Sequence, residues 1–292
     1  MSSYTIKDLE KISGIKAHTI RIWEQRYNFL QPQRTETNIR SYSAEELKVI
    51  LNVSLLNKFG FKISHIDKMS SEQMEEKIMA LNQLDAQKER VVNALIKEMV
   101  GLNMVGFERQ LDLYIGQKGI EKAITEIIFP YLERVGILWV TNHINPAQEH
   151  LATNIIRQKI ILGIEKLTPL MSYGKRIVLF LPEGEYHELG LLYVHFLLKQ
   201  KGVYVDYLGA NVPMVDLKYL TEVKKIDYLY CHITSPARNF KLDKFFNNLA
   251  SINPEIPIIL SGQLIQEYKG KIASNIHLKR SLVETISFLQ EI

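Results

Sequence analysis

One short stretch of this chain, Glu185-Tyr186-His187, places a carboxylate two residues before an imidazole. At that spacing the acid can hydrogen-bond one ring nitrogen and leave the other to ligate a metal. The stretch follows the apolar run at residues 176–181, so it stands where a predicted parallel strand ends and where open α/β sheets bind ligands. For His187 taken alone, a surface-loop histidine without a ligand is the alternative interpretation.

A second set of candidate residues lies near the N-terminus and is of the kind that contacts DNA. A predicted helix at residues 16–27 carries polar and basic side chains at its start, as a helix that enters the major groove must. Ile20, with Ile22 or Trp23, is expected to pack on the preceding helix. Residues 28–42 predict a small β-wing that binds phosphates. For the basic charge of this N-terminal segment, a solvated face that binds nothing is the alternative interpretation. The candidates are Lys16, His18, Thr19, Arg21, Trp23, Arg34, Asn38, Arg40 and Tyr42.

Three patterns follow one another along the chain and would position these residues. Short helices broken by turns are predicted at residues 4–68, and residues 71–170 are almost entirely helical in pattern. Beyond residue 174, five apolar runs alternate with helices, which predicts a doubly wound parallel sheet. We therefore predict a multi-domain fold: a winged helix-turn-helix head (1–75), a linking helix with a four-helix bundle (76–172) and a Rossmann-like α/β domain (173–292). The predicted strands are residues 176–181, 203–208, 226–233, 258–260 and 276–278.

Composition fits a globular protein, with 46% hydrophobic and 23% charged residues. The net charge is +4, and residues 1–68, with eleven Lys and Arg against seven Asp and Glu, carry the same excess, which suits a phosphate-binding head on a neutral body. The single cysteine, Cys231, rules out an internal disulfide and a multi-thiolate zinc site. No apolar run is long enough to span a bilayer, and the N-terminus lacks the pattern of a secretory signal. We expect a cytoplasmic protein with no membrane partner.

The N-terminal quarter, YTIKDLEKISGIKAHTIRIWEQRYNFLQPQRTETNIRSYSAEEL, closely resembles the MerR family of bacterial regulators. The resemblance implies a homodimer joined by a long helix, for which part of residues 71–100 is available. A two-fold dimer implies a pseudo-palindromic operator in double-stranded DNA. Our hypothesis is that Arg21, Arg40 and Tyr42 contact phosphates. Base edges would then face Lys16, His18 and Thr19.

Residues 174–292 resemble the cobalamin-binding domain, whose hallmark is an acid-x-His-x-x-Gly loop that supplies the lower cobalt ligand. The resemblance implies that His187 ligates cobalt. A Ser-x-Leu/Thr element and then a Gly-Gly follow in that family; here His232-Ile233-Thr234, 41 residues after Gly190, and Ser261-Gly262, another 26 residues on, stand in those places. The larger His232 and Ser261 would intrude near the channel for the nucleotide tail of the cofactor. The cofactor-binding candidates in this domain are Glu185, His187, Gly190, His232, Thr234, Ser261 and Gly262.

Trp139, followed after nine residues by Glu149-His150, is similar to the signature of the MerR-type cobalamin regulators, the CarH, CarA and LitR group. The resemblance implies that Trp139 covers the upper face of the corrin and that Glu149 and His150 touch the adenosyl group. In light-sensing members a bundle histidine can replace that group. Here Val140 follows the tryptophan and cannot ligate, while His143 lies about one turn away.

We therefore predict a repressor, not an enzyme, whose assembly as a homodimer or tetramer responds to adenosylcobalamin and to light. Assembly would place several heads on one operator and raise avidity. One alternative is a MerR-type regulator with a degenerate effector domain that binds no corrin and responds to a protein partner. Another is a corrin enzyme, such as a methyltransferase or mutase component. The DNA head and the lack of P-loop, nucleophile-elbow and HExxH motifs argue against that class.

Overall fold

A computed structural model of the chain describes residues 4–34, 39–81, 84–140, 144–167, 174–236 and 240–292, without the side chains of Leu84, Ile137, Trp139 and Val140. It divides into two compact units, Met1–Ile156 and Arg157–Ile292. None of the described helices is long and apolar enough to cross a membrane.

The head begins with helix α1 (Ile6–Ser13), which starts at a capping box of Thr5 and Asp8 and ends at Gly14 in the left-handed conformation. Helix α2 (Ala17–Arg26) follows, and then strands β1 (Gln33–Arg34) and β2 (Arg40–Ser41), which pair antiparallel. Ser43 and Glu46 form the capping box of α3 (Ala44–Lys58), as their spacing indicates. The head is completed by α4 (Ile63–Ile66) and α5 (Ser71–Met79).

Four longer helical segments follow in the first unit: α6 (Leu84–Val100), α7 (Met104–Lys118), α9 (Phe129–Val140) and α10 (Pro146–Glu165), which crosses the unit boundary. Between α7 and α9 lie α8 (Ile120–Ala123) and a π-helical turn, Ile124–Ile128. Within residues 71–100, part of which is expected to supply a long linking helix, the structure has α5 and the 17-residue α6. Helix α5 buries Met74 and Ile78, so it is part of the packed unit.

The head packs on these helices, α1 against α9 and α3 against α6. Glu89 of α6 lies at the centre of the polar contacts there. It accepts a hydrogen bond from Lys58 of α3 at 2.8 Å and another from Arg134 of α9, which also donates to Asn93. One carboxylate therefore joins the head to two helices of the body.

The second unit is a parallel sheet of five strands: β3 (Arg176–Pro182), β4 (Tyr204–Val212), β5 (Tyr228–His232), β6 (Ile258–Ser261) and β7 (Ile276–Leu278). All five lie where the apolar runs predict them, and the expected parallel sheet is confirmed. The bounds differ most in β4, which continues through Gly209 and Asn211, both with positive φ, because bulges keep it paired with β3.

Helices cover both faces of this sheet. Leu191 and Val194 of α11 (Leu189–Gln200) and Leu289 of α15 (Leu282–Glu291) pack on one face. The other face carries α12 (Met214–Val223), α13 (Leu242–Ala250) and α14 (Gln263–Gln266). The strand order is β4-β3-β5-β6-β7, so the chain reverses its direction of travel across the sheet beside β3. In doubly wound sheets the ligand crevice opens at that point, between the loops that follow β3 and β5.

Candidate functional site

The carboxylate of Glu185 ties together the two loops that flank this crevice. Its Oε1 lies 2.5 Å from Nδ1 of His187 and accepts the backbone N–H groups of residues 186 and 187, each at 2.9 Å. Its Oε2 accepts the backbone N–H groups of Thr234 at 2.8 Å and Ser235 at 2.6 Å, in the loop after β5. The side chain has no solvent exposure, so every contact that it makes is with the protein.

These hydrogen bonds decide the charge of the acid. Burial alone raises the pKa of Glu185, but the bonds from the His187 ring and from three backbone N–H groups lower this pKa to about 2. The carboxylate is therefore ionised at neutral pH and favours the tautomer that carries the proton on Nδ1 of His187. The imidazole itself is 56% exposed, and a metal would reach it through Nε2.

Residues that sequence patterns did not single out support the loop from behind. Asn211, at φ 59° near the end of β4, accepts a hydrogen bond from the backbone N–H of Gly184 at 2.9 Å and donates its own to the carbonyl of Glu185. Glu188 accepts the hydroxyl of Tyr207 at 2.8 Å and a hydrogen bond from Arg157. The sequence feature that could have revealed Asn211 is Gly-Ala-Asn at the end of an apolar run. This pattern predicts a turn more readily than a residue that supports the neighbouring loop.

The two residues that depart from the resembled pattern contact each other. Nδ1 of His232 lies 2.8 Å from Oγ of Ser261, and the pair are register neighbours on β5 and β6. Burial lowers the pKa of His232 to about 4, so the ring is neutral at pH 7. Gly262 has φ 104°, and a Cβ there would lie 2.3 Å from the carbonyl oxygen of Ile233, so glycine is required at that position.

The candidates in the first unit are described in part. Trp139 lies in α9, but its side chain falls outside the described part of the chain, as does that of Val140, and His143 is outside it altogether. Glu149 and His150 stand in the first turn of α10, with Oε2 of the acid 3.1 Å from Nδ1 of the histidine. The His150 side chain is 69% exposed and that of Glu149 is 19% exposed. Their predicted contact with an upper ligand stays a prediction.

Helix α2 presents an exposed face of His18, Arg21, Ile22 and Gln25, with Lys16 exposed just before the helix and Thr19 half-buried. Gln25 and Ile22 were not predicted to lie on this face; a glutamine can read adenine, and an apolar side chain can contact a thymine methyl. Ile20 is buried, as expected.

Two predicted DNA contacts are wrong in this structure. Trp23 is buried in the core of the head, with its ring edge-on to Phe29 at 6.1 Å. Tyr42 has no exposure because its backbone pairs with Tyr4 and its hydroxyl donates to Glu24. Both aromatic side chains therefore build the head, and neither reaches its surface. Asn38 lies outside the described residues.

Glu24 is the polar centre of the head. It accepts hydrogen bonds from Nε of Arg40 at 2.6 Å, from Nη2 of Arg34 at 3.3 Å and from the Tyr42 hydroxyl at 3.3 Å. The bond to Glu24 raises the pKa of Arg40, and burial together with Glu24 raises the pKa of Tyr42. A guanidinium has five N–H donors, so both arginines keep the capacity to bind phosphate while Glu24 restrains them.

Two family models match the chain. One lies within the first unit, and the other begins in the first unit and ends six residues into the second. A model described as MerR HTH family regulatory protein matches residues 4–73. A model described as B12 binding domain matches residues 91–162, which run from α6 to α10. The resemblance of the N-terminal quarter to MerR regulators is thereby confirmed.

Two relatives from Myxococcus xanthus match most of the chain. The HTH-type transcriptional repressor CarA is 31% identical over 216 residues, which cover 73% of this chain and 70% of the relative. The HTH-type transcriptional repressor CarH is 28% identical over 221 residues, which cover 74% of this chain and 73% of the relative.

Among solved structures, the Methanosarcina barkeri monomethylamine corrinoid protein superposes with a TM-score of 0.54. The match covers 70% of this chain and 100% of that protein at 14% identity, which shows a shared fold alone.

Proposed function

Since this chain belongs to the MerR family of helix-turn-helix regulators, in the group with a B12 binding domain, we propose that it is a transcriptional repressor controlled by adenosylcobalamin. We propose a regulator and no catalysis, in keeping with relatives named as transcriptional repressors. The observation that carries the proposal is the Glu185 carboxylate, which orients His187 at the switch point of the sheet.

His187 would hold the cobalt of the corrinoid through Nε2. A bound corrinoid would supply a cobalt ion able to bind an imidazole nitrogen and an adenosyl group. Glu185 would keep the imidazole in the required tautomer and raise its basicity as a ligand, the usual role of a carboxylate behind a metal-bound histidine. Thr234 contributes through its backbone, which holds the acid, and Gly262 permits close approach of the chain. The donor atoms therefore fit a corrinoid with a histidine ligand.

Trp139, Glu149 and His150 are the proposed contacts to the upper ligand. A light response through loss of the adenosyl group is part of the proposal. Val140, which follows the tryptophan, cannot ligate cobalt, so it would not replace the lost group.

In the head, we propose that Lys16, His18, Thr19 and Arg21 face base edges and phosphates from α2. The β1–β2 hairpin would act as the wing, with Arg34 and Arg40 on phosphates. The exposure of His18, Arg21 and Lys16 and the anchoring of both hairpin arginines on Glu24 support this assignment. A two-fold homodimer, or a tetramer, would read a pseudo-palindromic operator, and the corrinoid would act by favouring that assembly.

The test is to incubate the full chain with adenosylcobalamin in the dark and to record its absorption spectrum and elution volume before and after green light. We expect a bound corrinoid with a histidine-ligated spectrum and a change in elution volume on illumination. His187→Ala should lose the ligated spectrum, while His277→Ala, an exposed histidine on β7, should keep it. Wild type without bound corrinoid, and indistinguishable from His187→Ala, would contradict the proposal.

The head is tested separately by operator binding at several salt concentrations. Arg40→Ala should weaken binding to all DNA and reduce the salt slope by about one, as expected when one phosphate contact is lost. Lys118→Ala, which removes an equal charge at the end of α7, is the matched control. An unchanged slope in Arg40→Ala would remove this arginine from the contact set.

The contact between His232 and Ser261 favours one second candidate, a regulator whose effector domain binds no corrinoid and responds to a protein partner. Operator binding separates the two. Full affinity and specificity of the corrinoid-free chain, unchanged by adenosylcobalamin, would favour this second candidate.

A further inference from the structure

Three polar side chains meet where β5 and β6 end, beside the loop that carries His187. Nδ1 of His232 lies 2.8 Å from Oγ of Ser261, and the hydroxyl of Tyr230 donates to the same oxygen at 2.7 Å. Tyr230 and Ser261 are 1% and 3% exposed. The ring of His232 is therefore anchored to a buried hydroxyl pair, which fixes its orientation.

The opposite edge of the ring is against backbone. A Cβ placed on Gly190, in the first turn of α11, would lie 2.4 Å from Nε2 and 2.8 Å from Cε1 of His232. The imidazole therefore fills the gap between the start of α11 and the ends of β5 and β6. Glycine at position 190 leaves room for this ring and for nothing larger.

We propose that His232 closes this part of the crevice to the bulky lower nucleotide of cobalamin, so that the site prefers corrinoids that lack this nucleotide, such as adenosylcobinamide. The inference rests on the proposed function, because it concerns the same corrinoid site. Cobalt ligation needs His187, which is more than half exposed at the mouth of the crevice. A ligand that stays at the mouth leaves His232 in place, whereas a ligand with a nucleotide must displace it.

Displacement is unfavourable for two physical reasons. The ring cannot move toward α11, since backbone atoms of Gly190 are in contact with it. If the ring moves away in another direction, Ser261 loses its hydrogen bond to His232, and the buried hydroxyls of Ser261 and Tyr230 must rearrange. Loss of a hydrogen-bond partner in a buried site is unfavourable. His232 and Ser261 thus act as one specificity-determining pair.

The experiment compares the affinities of two ligands in the dark. The full chain is titrated with adenosylcobinamide and with adenosylcobalamin, and the bound fraction of each is measured by equilibrium dialysis from its visible absorption. The variants are His232→Ser with Ser261→Gly, which opens the crevice on both strands, and His232→Asn, which is smaller and keeps a donor for Ser261. Thermal unfolding and elution volume report whether each variant folds, and His277→Ser is the matched control.

We expect wild type to bind adenosylcobinamide at least tenfold more tightly than adenosylcobalamin. The double variant should reverse or abolish that preference by binding adenosylcobalamin at least tenfold better, and His232→Asn should move in the same direction. Equal wild-type affinities, or a preference that neither variant changes, would overturn the inference and leave the proposed function intact. If neither ligand binds to wild type or to the folded variants, the proposed function fails and the inference fails with it.

Discussion

Glu24 in the head and Glu185 in the α/β unit both hold a candidate site together, and they use different partners. Glu24 accepts hydrogen bonds from the side chains of Arg34, Arg40 and Tyr42. Glu185 accepts them from four backbone N–H groups and lies beside one imidazole. The side chain of Glu24 keeps 10% exposure, whereas Glu185 has none.

The comparison shows how rigid each site needs to be. Backbone donors are fixed by the strands that lead to them, so the loop at Glu185 is pre-organised for a ligand of defined shape. Guanidinium groups sit on long flexible stems, so the arginines at Glu24 can follow the phosphates of a deformable duplex. The arginines of the head can therefore shift with the DNA, whereas the loop at Glu185 keeps a fixed shape.

The largest expected effect is the loss of the buried carboxylate. Glu185→Ala leaves backbone N–H groups from two loops without their acceptor, so we expect the free energy of unfolding to fall by about 3 kcal/mol or more. Urea unfolding of the full chain, followed by circular dichroism, measures it. Glu183→Ala, an exposed acid in the same loop, is the control and should change stability by less than about 0.5 kcal/mol. A loss below about 1 kcal/mol in Glu185→Ala would mean that the loops are rigid without it.

A second substitution tests the packing behind that loop. Gly190→Ala places a methyl group against the ring of His232, and overpacking of this kind is expected to destabilise the unit by about 2 kcal/mol. His232→Ser should restore most of that loss in the double variant, which a thermal-unfolding double-mutant cycle detects. Gly116→Ala, on α7 with open space around it, should be neutral or stabilising. Additive losses in the cycle would show that the ring and Gly190 do not constrain each other.

In the head we expect a smaller effect on stability and a larger one on selectivity. Glu24→Gln removes a charge-assisted acceptor at a partly exposed site, so the free energy of unfolding should fall by about 1 kcal/mol. The freed arginines should bind random DNA more tightly, which lowers the ratio of operator to random affinity in fluorescence anisotropy. Glu45→Gln, an exposed acid on α3, is the control. An unchanged ratio would contradict the restraint of Arg34 and Arg40 by Glu24.

A dependence on pH should distinguish the two units. Burial, with Lys199, lowers the pKa of His195 from 6.5 to about 4 against an opposing effect of Glu165, and its ring stacks on Tyr207. Between pH 6.5 and 4 the unfolded chain binds a proton that the folded chain does not, so the stability of the α/β unit falls as the pH falls through this window. Replacing the histidine, as in His195→Gln, should reduce that slope.

Two probes separate the units in this measurement. Both tryptophans lie in residues 1–156, so their fluorescence follows the first unit, while circular dichroism follows both. Acid should therefore shift the dichroism transition toward lower urea before the fluorescence transition moves. His232, whose pKa is also lowered to about 4, and, below pH 4.5, Glu185 account for the slope that persists in His195→Gln. Parallel shifts of both probes would count against a unit-specific effect.

The sequence predicts the α/β unit well because buried parallel strands are nearly continuous apolar runs. All five strands lie at the expected runs, and the capping boxes at Thr5 and Ser43 mark helix starts by local spacing alone. These signals need no information about distant residues. They also place the Glu185 loop at the correct end of its strand.

The remaining features depend on partners far apart in the chain. The acceptor role of Glu24 involves residues 10 to 18 positions away. That of Glu185 toward Thr234 and Ser235 spans 49 and 50 positions, so local spacing reveals only its bond to His187. Trp23 and Tyr42 were predicted as DNA contacts because an aromatic residue in a basic segment suits both a core and a surface. Burial against Phe29 and Tyr4 decides for the core, and only the tertiary structure supplies those neighbours.

Helix α9 has a mechanical consequence for signalling. It carries Arg134, which binds Glu89 and through it Lys58 of the head, and five residues later it carries Trp139, about 7.5 Å along the axis. A helix is stiff along its length, so a displacement of α9 at position 139 is expected to move Arg134 and, through the Glu89 ion pairs, Lys58 of the head.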